Sequence, residues 1–200
     1  MNILLLGATG TFGKSFTKRL LSDTDYNLTL VSRNARNMYK DSDRQKVINA
    51  DVTNIEELSE VIKNQDVVYC AISGDQLPIV AENIVKCISD NQRLIFMGAV
   101  GIYNEIPDEL DGKDNVDNNI DQIPNRDAVN IIEKSNIKYT ILRSGYLKDG
   151  SEEDYVITKK EEFAKGYITT IQSVEKVALE IMRNNDLHLN ESISITKDMK

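Results

Sequence analysis

Apolar positions along this chain alternate between two patterns. Short apolar or β-rich runs at 3–6, 28–31, 47–50, 67–72, 94–97 and 139–142 are rich in Ile, Leu, Val, Tyr and Phe. Runs of this length and composition predict strands buried on both faces, as in a parallel sheet. Between them the apolar residues recur at helical spacing. Phe12, Phe16 and Leu20 lie four apart. Thr53 and Glu56 have the spacing of a capping box ahead of Ile55, Leu58 and Ile62. Pro78 suits the first turn of a helix bearing Val80, Ile84, Cys87 and Ile88, since its missing N–H is not needed there. Ala128, Val129 and Ile132 mark another helix. Ser173 is placed to cap a last one, with Val174, Val177, Ala178 and Ile181 on one face.

Strands alternating with helices predict a doubly wound α/β sheet, with right-handed crossovers placing helices on both faces in a three-layer αβα arrangement. No internal repeat and no Pro/Gly/Ser-rich linker divides the chain, so residues 1–200 read as one domain. Two stretches, 99–121 and 144–166, lack periodicity. Each follows a predicted strand, where ligands bind in open α/β sheets, and both are candidates for the substrate wall.

Composition narrows the picture. Hydrophobic residues are 40% of the chain, which with glycine counted reaches the globular range. The net charge of −8 argues against a nucleic-acid partner, because phosphate binding needs clustered cations. Much of the acid falls in 105–127, read as a solvated loop. No apolar run is long enough to span a bilayer, and the apolar start is too short for a signal peptide and has no basic residues ahead of it. The expected location is therefore the cytoplasm, with no membrane partner. Cys70, Cys87 and the single His188 give neither disulfide nor metal-ligand spacing. Cys70 reads as buried and His188 as a surface loop residue. Without a Ser-His or Cys-His pairing, triad hydrolysis is not expected.

The most informative segment is Ile3-Leu4-Leu5-Leu6-Gly7-Ala8-Thr9-Gly10-Thr11-Phe12-Gly13. A buried strand runs through a Gly-x-x-Gly-x-x-Gly turn into a helix. Gly7 permits the tight turn, Gly10 lets backbone approach a pyrophosphate, and Gly13 lets the helix pack closely on the strand. The helix N-terminus then offers N–H groups and a positive dipole end to phosphate. Strand, turn and helix together predict a Rossmann-type nicotinamide-dinucleotide site. An NAD-specific fold usually ends its second strand in an acid that bonds the ribose 2′-OH. Here that strand ends Ser32-Arg33-Asn34-Ala35-Arg36. A cation in this place would pair with a 2′-phosphate, so NADP(H) is favoured over NAD(H). The ordinary alternative is a pair of surface arginines.

With Gly-Ala-Thr-Gly-x-x-Gly in this setting, the chain resembles the short-chain dehydrogenase/reductase superfamily. It is most similar to the small atypical NAD(P)H-binding branch that includes flavin reductases, biliverdin-reductase-B-like enzymes and relatives of the NmrA redox sensors. By that resemblance Gly7, Thr9, Gly10, Thr11, Phe12 and Gly13 cradle the pyrophosphate. Asp51 and Val52 match the adenine-contacting pair. Ala71, Ile72, Ser73 and Gly74 match the nicotinamide-side turn. The strand from Tyr139 through Arg143-Ser144-Gly145 is similar to the family's strand ending in Arg-Pro-Gly, with Ser144 in place of Pro.

The chain departs from the family in its acid machinery. Most members reduce carbonyls with a Tyr-x-x-x-Lys pair and a Ser. Here the fifth strand ends Met97-Gly98-Ala99 without that Ser, and the Tyr and Lys positions fall near Asp121 and Asn125. Tyr155 and Lys159 have the spacing but follow the Arg143 strand, and are read as coincidence. Ala99, Tyr103 and Tyr146 are the residues expected to face substrate; the catalytic residues stay unassigned. Chain length leaves no room for the extra C-terminal domain of sugar-nucleotide epimerases, so a nucleotide sugar is not expected. What is expected is an NADPH-dependent oxidoreductase acting on a planar acceptor, a flavin or quinone. The alternative is a non-catalytic NADP(H)-binding sensor of the NmrA-like type. Nothing in the sequence speaks to oligomeric state.

Overall fold

The computed structural model describes residues 1–110, 112–148, 150 and 154–198. Within the two stretches without periodicity, positions 111, 149 and 151–153 lie outside the described residues. From the N-terminus, β1 (Asn2–Leu6) leads into α1 (Thr11–Asp23), then β2 (Asn27–Ser32) and β3 (Gln45–Asn49). Next come α2 (Ile55–Val61), β4 (Val67–Cys70), α3 (Leu77–Cys87) and β5 (Arg93–Ala99). After a long connection follow α4 (Ile123–Glu133), β6 (Tyr139–Ser144), and the short strands β7 (Tyr146–Lys148), β8 (Val156–Lys159) and β9 (Ile168–Thr170). The helix α5 (Ile171–Arg183) and the strand β10 (Glu191–Thr196) close the described chain.

The central sheet runs β3-β2-β1-β4-β5-β6-β10-β8, and strand order reverses direction between β1 and β4. Seven strands are parallel, and β8 joins β10 antiparallel at the edge. Alternate residues of each central strand feed opposite layers. Leu4 and Leu6 meet Leu58, Val80, Ile84, Val129 and Ile132 from α2, α3 and α4. Ile3 and Leu5 meet Phe16, Leu20, Val174, Val177 and Ile181 from α1 and α5. All four of these β1 side chains are fully buried, each contributing about 1.5–3 kcal/mol by area. The chain is therefore the doubly wound three-layer αβα sheet that the alternation predicts, with an antiparallel edge strand added.

Four strands do not appear among the predicted ones. β10 reads Glu-Ser-Ile-Ser-Ile-Thr, and it sits inside the sheet beside β6. Ile193 and Ile195 enter the α1/α5 layer, while Ser192, Ser194 and Thr196 are also buried, on the opposite face. β7 and β9 form a separate two-stranded pair, and β7 and β8 fall within 144–166, where no periodicity was visible.

Two caps differ from expectation by a residue or more. Asn54, not Thr53, caps α2, its side chain accepting from the Glu56 N–H. Glu57 completes the reciprocal arrangement, accepting from the Asn54 side chain and from the Asp51 N–H. Thr53 instead donates twice to Asp51. Thr170 caps α5 by accepting from the Ser173 N–H, so Ser173 lies inside the first turn. His188 is in a loop as expected but half-buried, with a φ of 53° and its ring 2.7 Å from Glu191.

Helix C-termini are closed by arginines reaching from strand beginnings. Arg44 donates to the carbonyls of Leu21 (2.7 Å) and Thr24 (2.5 Å) at the end of α1. Arg93 donates to the carbonyls of Asn185 (2.8 Å) and Leu187 (2.6 Å) just past α5. The Arg44 fork satisfies carbonyls that α1 leaves unpaired, the Arg93 fork carbonyls of the loop beyond α5, and each places a cation near a negative dipole end.

The opposite edge is tied by carboxylates. Arg143, at the end of β6 and fully buried, pairs with Glu105, which is 4% exposed. Arg143 also lies 5.0 Å over the Tyr103 ring. The Tyr103 hydroxyl donates to Glu133 on α4 (2.8 Å), whose other oxygen holds Lys160 (2.6 Å). Removing Glu105 would leave a buried guanidinium uncompensated. Glu105→Ala is expected to cost about 3–5 kcal/mol of stability, read by urea denaturation; a loss under about 1 kcal/mol would mean the pair does not hold the fold.

A second buried carboxylate has weaker company. Glu175 on α5 is 3% exposed and faces α1 and β4. Arg19 lies 3.6 Å from one oxygen and shares itself with Asp23, Ser15 offers a hydrogen bond, and the Tyr69 phenol stands nearby. Its other oxygen is buried without a partner. Burial pushes this carboxyl above its ordinary value, outweighing Ser15 and Arg19. A carboxyl whose folded-state pKa is raised makes folding less favourable as pH rises from its unfolded value through its folded one. Glu175→Gln should therefore melt higher than the parent near about pH 8 and lose that advantage toward about pH 4. A parallel pair of melting curves across that range would contradict it.

Candidate dinucleotide site

In open α/β sheets a crevice opens beyond the C-terminal strand ends where strand order reverses. Here that point lies between β1 and β4, and a cleft of about 630 Å³ occupies it. Its walls come from four strand ends. The turn after β1 contributes Gly7, Thr9 and Gly10, and the end of β2 contributes Ser32, Arg33 and Asn34. The end of β3 supplies Asp51, Val52 and Thr53; that of β4 supplies Ala71, Ile72, Ser73, Asp75 and Gln76.

The glycine turn is built by close contact. Gly7 has a φ of +81°, and a Cβ there would stand 2.8 Å from the Ala71 carbonyl oxygen. A Cβ on Gly13 would overlap the Gly7 carbonyl oxygen and come within 2.7 Å of the Ala8 Cα. Both positions are therefore closed to any side chain. Gly10 precedes α1 at the N-cap and has no side chain to satisfy the first turn, so no capping bond is made there. The open N–H groups and dipole of a 13-residue helix thus point toward the cleft. Thr11, Phe12 and Gly13 form that first turn rather than the cleft wall itself.

β2 holds the turn in place. The Val31 carbonyl accepts from the N–H groups of Gly7 (3.0 Å) and Ala8 (3.2 Å), and the Thr9 hydroxyl donates to Ser32 (3.2 Å). Arg33 is exposed on the rim, with no hydrogen bond or ion pair among the described residues. Arg36 is not on the wall and pairs with Asp41 at 3.3 Å. Across the cleft, hydrogen bonds from the Thr53 hydroxyl and N–H, with a smaller share from Arg33, hold the Asp51 carboxyl below its ordinary value. Val52 is 7% exposed beside it. Gly74, with a φ of +109°, turns the chain beyond Ser73 without lining the cleft. Asp75, Gln76 and Asn34 were not foreseen. Each adjoins a recognised segment, and its place on the wall depends on the curl of its loop.

The residues expected to face substrate are not brought together on this wall. Ala99 ends β5 beside Ser144 of β6. Tyr103 is half-buried between Arg143 and Lys160, its hydroxyl bonded to Glu133 and to Ser192 (3.1 Å). Burial pushes its phenol up, and Glu133 adds to the shift. It is a post within the fold rather than an open contact. Tyr146 is 63% exposed on β7.

No described helix carries a Tyr-x-x-x-Lys pair. Asp121 lies in a short 3-10 turn and Asn125 in the first turn of α4. Tyr155 and Lys159 belong to an extended segment ending in β8. Four residues apart on a helix, two side chains meet at about 5–6 Å, but on a strand they stand about 13 Å apart. Lys159 bonds Glu191 at 2.7 Å instead. Cys70 is fully buried and its thiol is pushed up to about 12 by that burial, which leaves no thiolate nucleophile there. No group of His, Cys, Asp and Glu among the described residues has metal-site geometry, and no described helix is long and apolar enough to cross a membrane.

The glycine cradle, the uncapped helix and the cleft at the strand-order reversal all fit a dinucleotide. Similarity to known proteins agrees. A Rossmann-fold NAD(P)-binding family protein from Shigella flexneri superposes with a TM-score of 0.83, at 29% identity over 100% of this chain and 94% of that one. A short-chain dehydrogenase/reductase from Veillonella parvula, solved in complex with NADP, superposes with a TM-score of 0.85, at 26% identity over 98% and 94%. The inverting UDP-N-acetylglucosamine 4,6-dehydratase of Campylobacter jejuni is 34% identical over 98 residues. That match covers 45% of this chain and 29% of the dehydratase. The sequence model of an NAD(P)H-binding family matches residues 7–185. The chain belongs to that NAD(P)H-binding family.

Proposed function

We propose that the protein is an NADPH-dependent oxidoreductase that delivers hydride to a planar acceptor of the flavin or quinone type. One observation carries the reading: a cleft that fits a dinucleotide lies on a fold whose described residues set no Tyr-Lys acid pair on a helix. When bound, the nicotinamide supplies the hydride. The chain's part is to bind and orient. The α1 N-terminus and the turn from Gly7 to Gly13 receive the pyrophosphate, Asp51 and Val52 the adenine, and Ala71 to Gly74 the nicotinamide side. A carbonyl needs a proton donor at its developing alkoxide, but a reduced flavin or quinone can collect its proton from water. The acceptor would lie toward Ser73 and Ala99.

Arg33 supports NADP(H) over NAD(H). It is an unpaired guanidinium at the end of β2, where an acid would otherwise select a free ribose hydroxyl. Asp75 and Asp51 on the same walls are the counterweight, which makes Arg33 the side chain to test. Arg33→Asp should weaken NADPH by about ten- to a hundredfold, the range for losing a hydrogen-bonded charge, and leave NADH nearly unchanged. Calorimetric titration of both cofactors decides it; equal affinities in the parent would remove the preference.

Turnover tests the activity. Purified protein should oxidise NADPH measurably faster when FMN, riboflavin or a simple quinone is added. Gly10→Asp should abolish that rate by placing a carboxylate against the pyrophosphate. Tight NADP(H) binding with no turnover across a broad acceptor panel would instead identify a redox sensor that works by occupancy.

A further inference from the structure

The segment between β2 and β3 carries Arg33, and the structure fastens it as a rigid turn. Ala35 is fully buried, and its carbonyl accepts from the N–H groups of Met38 (3.0 Å) and Tyr39 (2.9 Å). The Arg36 N–H is held by Asn49 (2.9 Å), and Asp41 receives both the Arg36 guanidinium and the Val47 N–H. From this turn the Tyr39 side chain reaches back over α1. Its hydroxyl donates to the carbonyl of Ala8, inside the glycine turn, at 3.0 Å. Ala8 is fully buried, so without that donor its carbonyl would lose its bond where water does not reach. The Tyr39 ring and Phe12 pack against the same apolar layer. Burial raises the phenol above its ordinary value, with Thr17 offsetting part of the rise, so the hydroxyl keeps its proton.

Arg33 is thus bracketed. Immediately before it, Ser32 accepts from Thr9 of the glycine turn; six residues after it, Tyr39 bonds Ala8 of the same turn. The turn that receives the pyrophosphate and the loop that presents Arg33 are joined at both ends. We infer that Tyr39 is a positioning residue that couples the pyrophosphate turn to Arg33, so that the two phosphate-binding places of the cleft act as one unit. The inference rests on the dinucleotide reading above and extends it to a residue outside the cleft wall. Loss of the hydroxyl frees the loop relative to the turn. Its cost falls on the dinucleotide that engages both places, NADPH, and less on NADH, which engages the turn alone.

The test is a double-mutant cycle of Tyr39→Phe and Arg33→Ala, with Kd for NADPH and NADH measured by calorimetry on all four proteins. The phenylalanine keeps the ring and its packing, and circular dichroism with thermal melting verifies the fold. Tyr39→Phe is expected to weaken NADPH by about three- to tenfold, the range for one lost hydrogen bond, and NADH by less. In the Arg33→Ala background the same substitution should weaken both cofactors equally, because the selective part acts through Arg33. Equal losses for both cofactors in both backgrounds, or no loss at all, would reduce Tyr39 to a structural contact and overturn the coupling. A parent that binds neither cofactor removes the dinucleotide reading and this one together. A parent that binds both, with an unchanged NADPH-to-NADH ratio in Tyr39→Phe, removes this one alone.

Discussion

The ligand end of the molecule depends on how closely α1 lies against the turn that leads into it. Gly13 has no space for a Cβ, because the Gly7 carbonyl and Ala8 occupy it, and Gly7 is pressed in the same way against Ala71 of the neighbouring strand end. Three backbones meet where ordinary residues would hold them apart by a side chain. That contact brings the first turn of α1 to the point where strand order reverses, and aims its unpaired N–H groups into the cleft. A helix displaced outward by one methyl group would still cover the sheet, yet it would no longer present a phosphate site.

Beyond β5 and β6 the structure rests on different chemistry. Arg143 has no solvent contact, and its compensation arrives from Glu105 in the long connection after β5. Tyr103, two residues before Glu105, gives its own N–H to that carboxylate and its ring to the guanidinium. The connection is thus folded down by charge and hydrogen bonding together with scattered apolar residues: Ile102 joins the main core, and Val100 and Ile106 pack with Ala164 in a small cluster of their own. A buried pair of this kind contributes little net stability but penalises any arrangement that separates its members.

This division explains which parts were legible in the sequence. The strands and helices up to α4 follow from apolar periodicity because their packing is apolar, and the glycine turn follows because sterics leave it no alternative. The strand β10 was hidden because three of its five buried residues are Ser or Thr, which belong inside only when they find partners. Its strict Ile-Ser-Ile-Thr alternation is the one sequence signal that marks it as a strand. Thr53 and Ser173 were displaced as caps by Asn54 and Thr170, neighbours with equally suitable side chains, a choice set by where each chain enters its helix. Tyr103 looked like an open aromatic because its partners Glu133 and Ser192 lie 30 and 89 residues away. Nothing in the sequence singles out Tyr39, because its bond to Ala8 spans 31 residues.

The arginine forks at the strand beginnings give the molecule a chemical polarity. Arg44 and Arg93 hold the end of α1 and the loop beyond α5 through backbone carbonyls, to which each guanidinium donates as a fork. The connections at the other edge hang on Glu105, Glu133 and Asp114, each bonded to a cation or a hydroxyl. The feet of the helices are thus fastened through backbone groups that no substitution deletes, whereas the connections at the other edge depend on particular carboxylates, each of which a single substitution can remove.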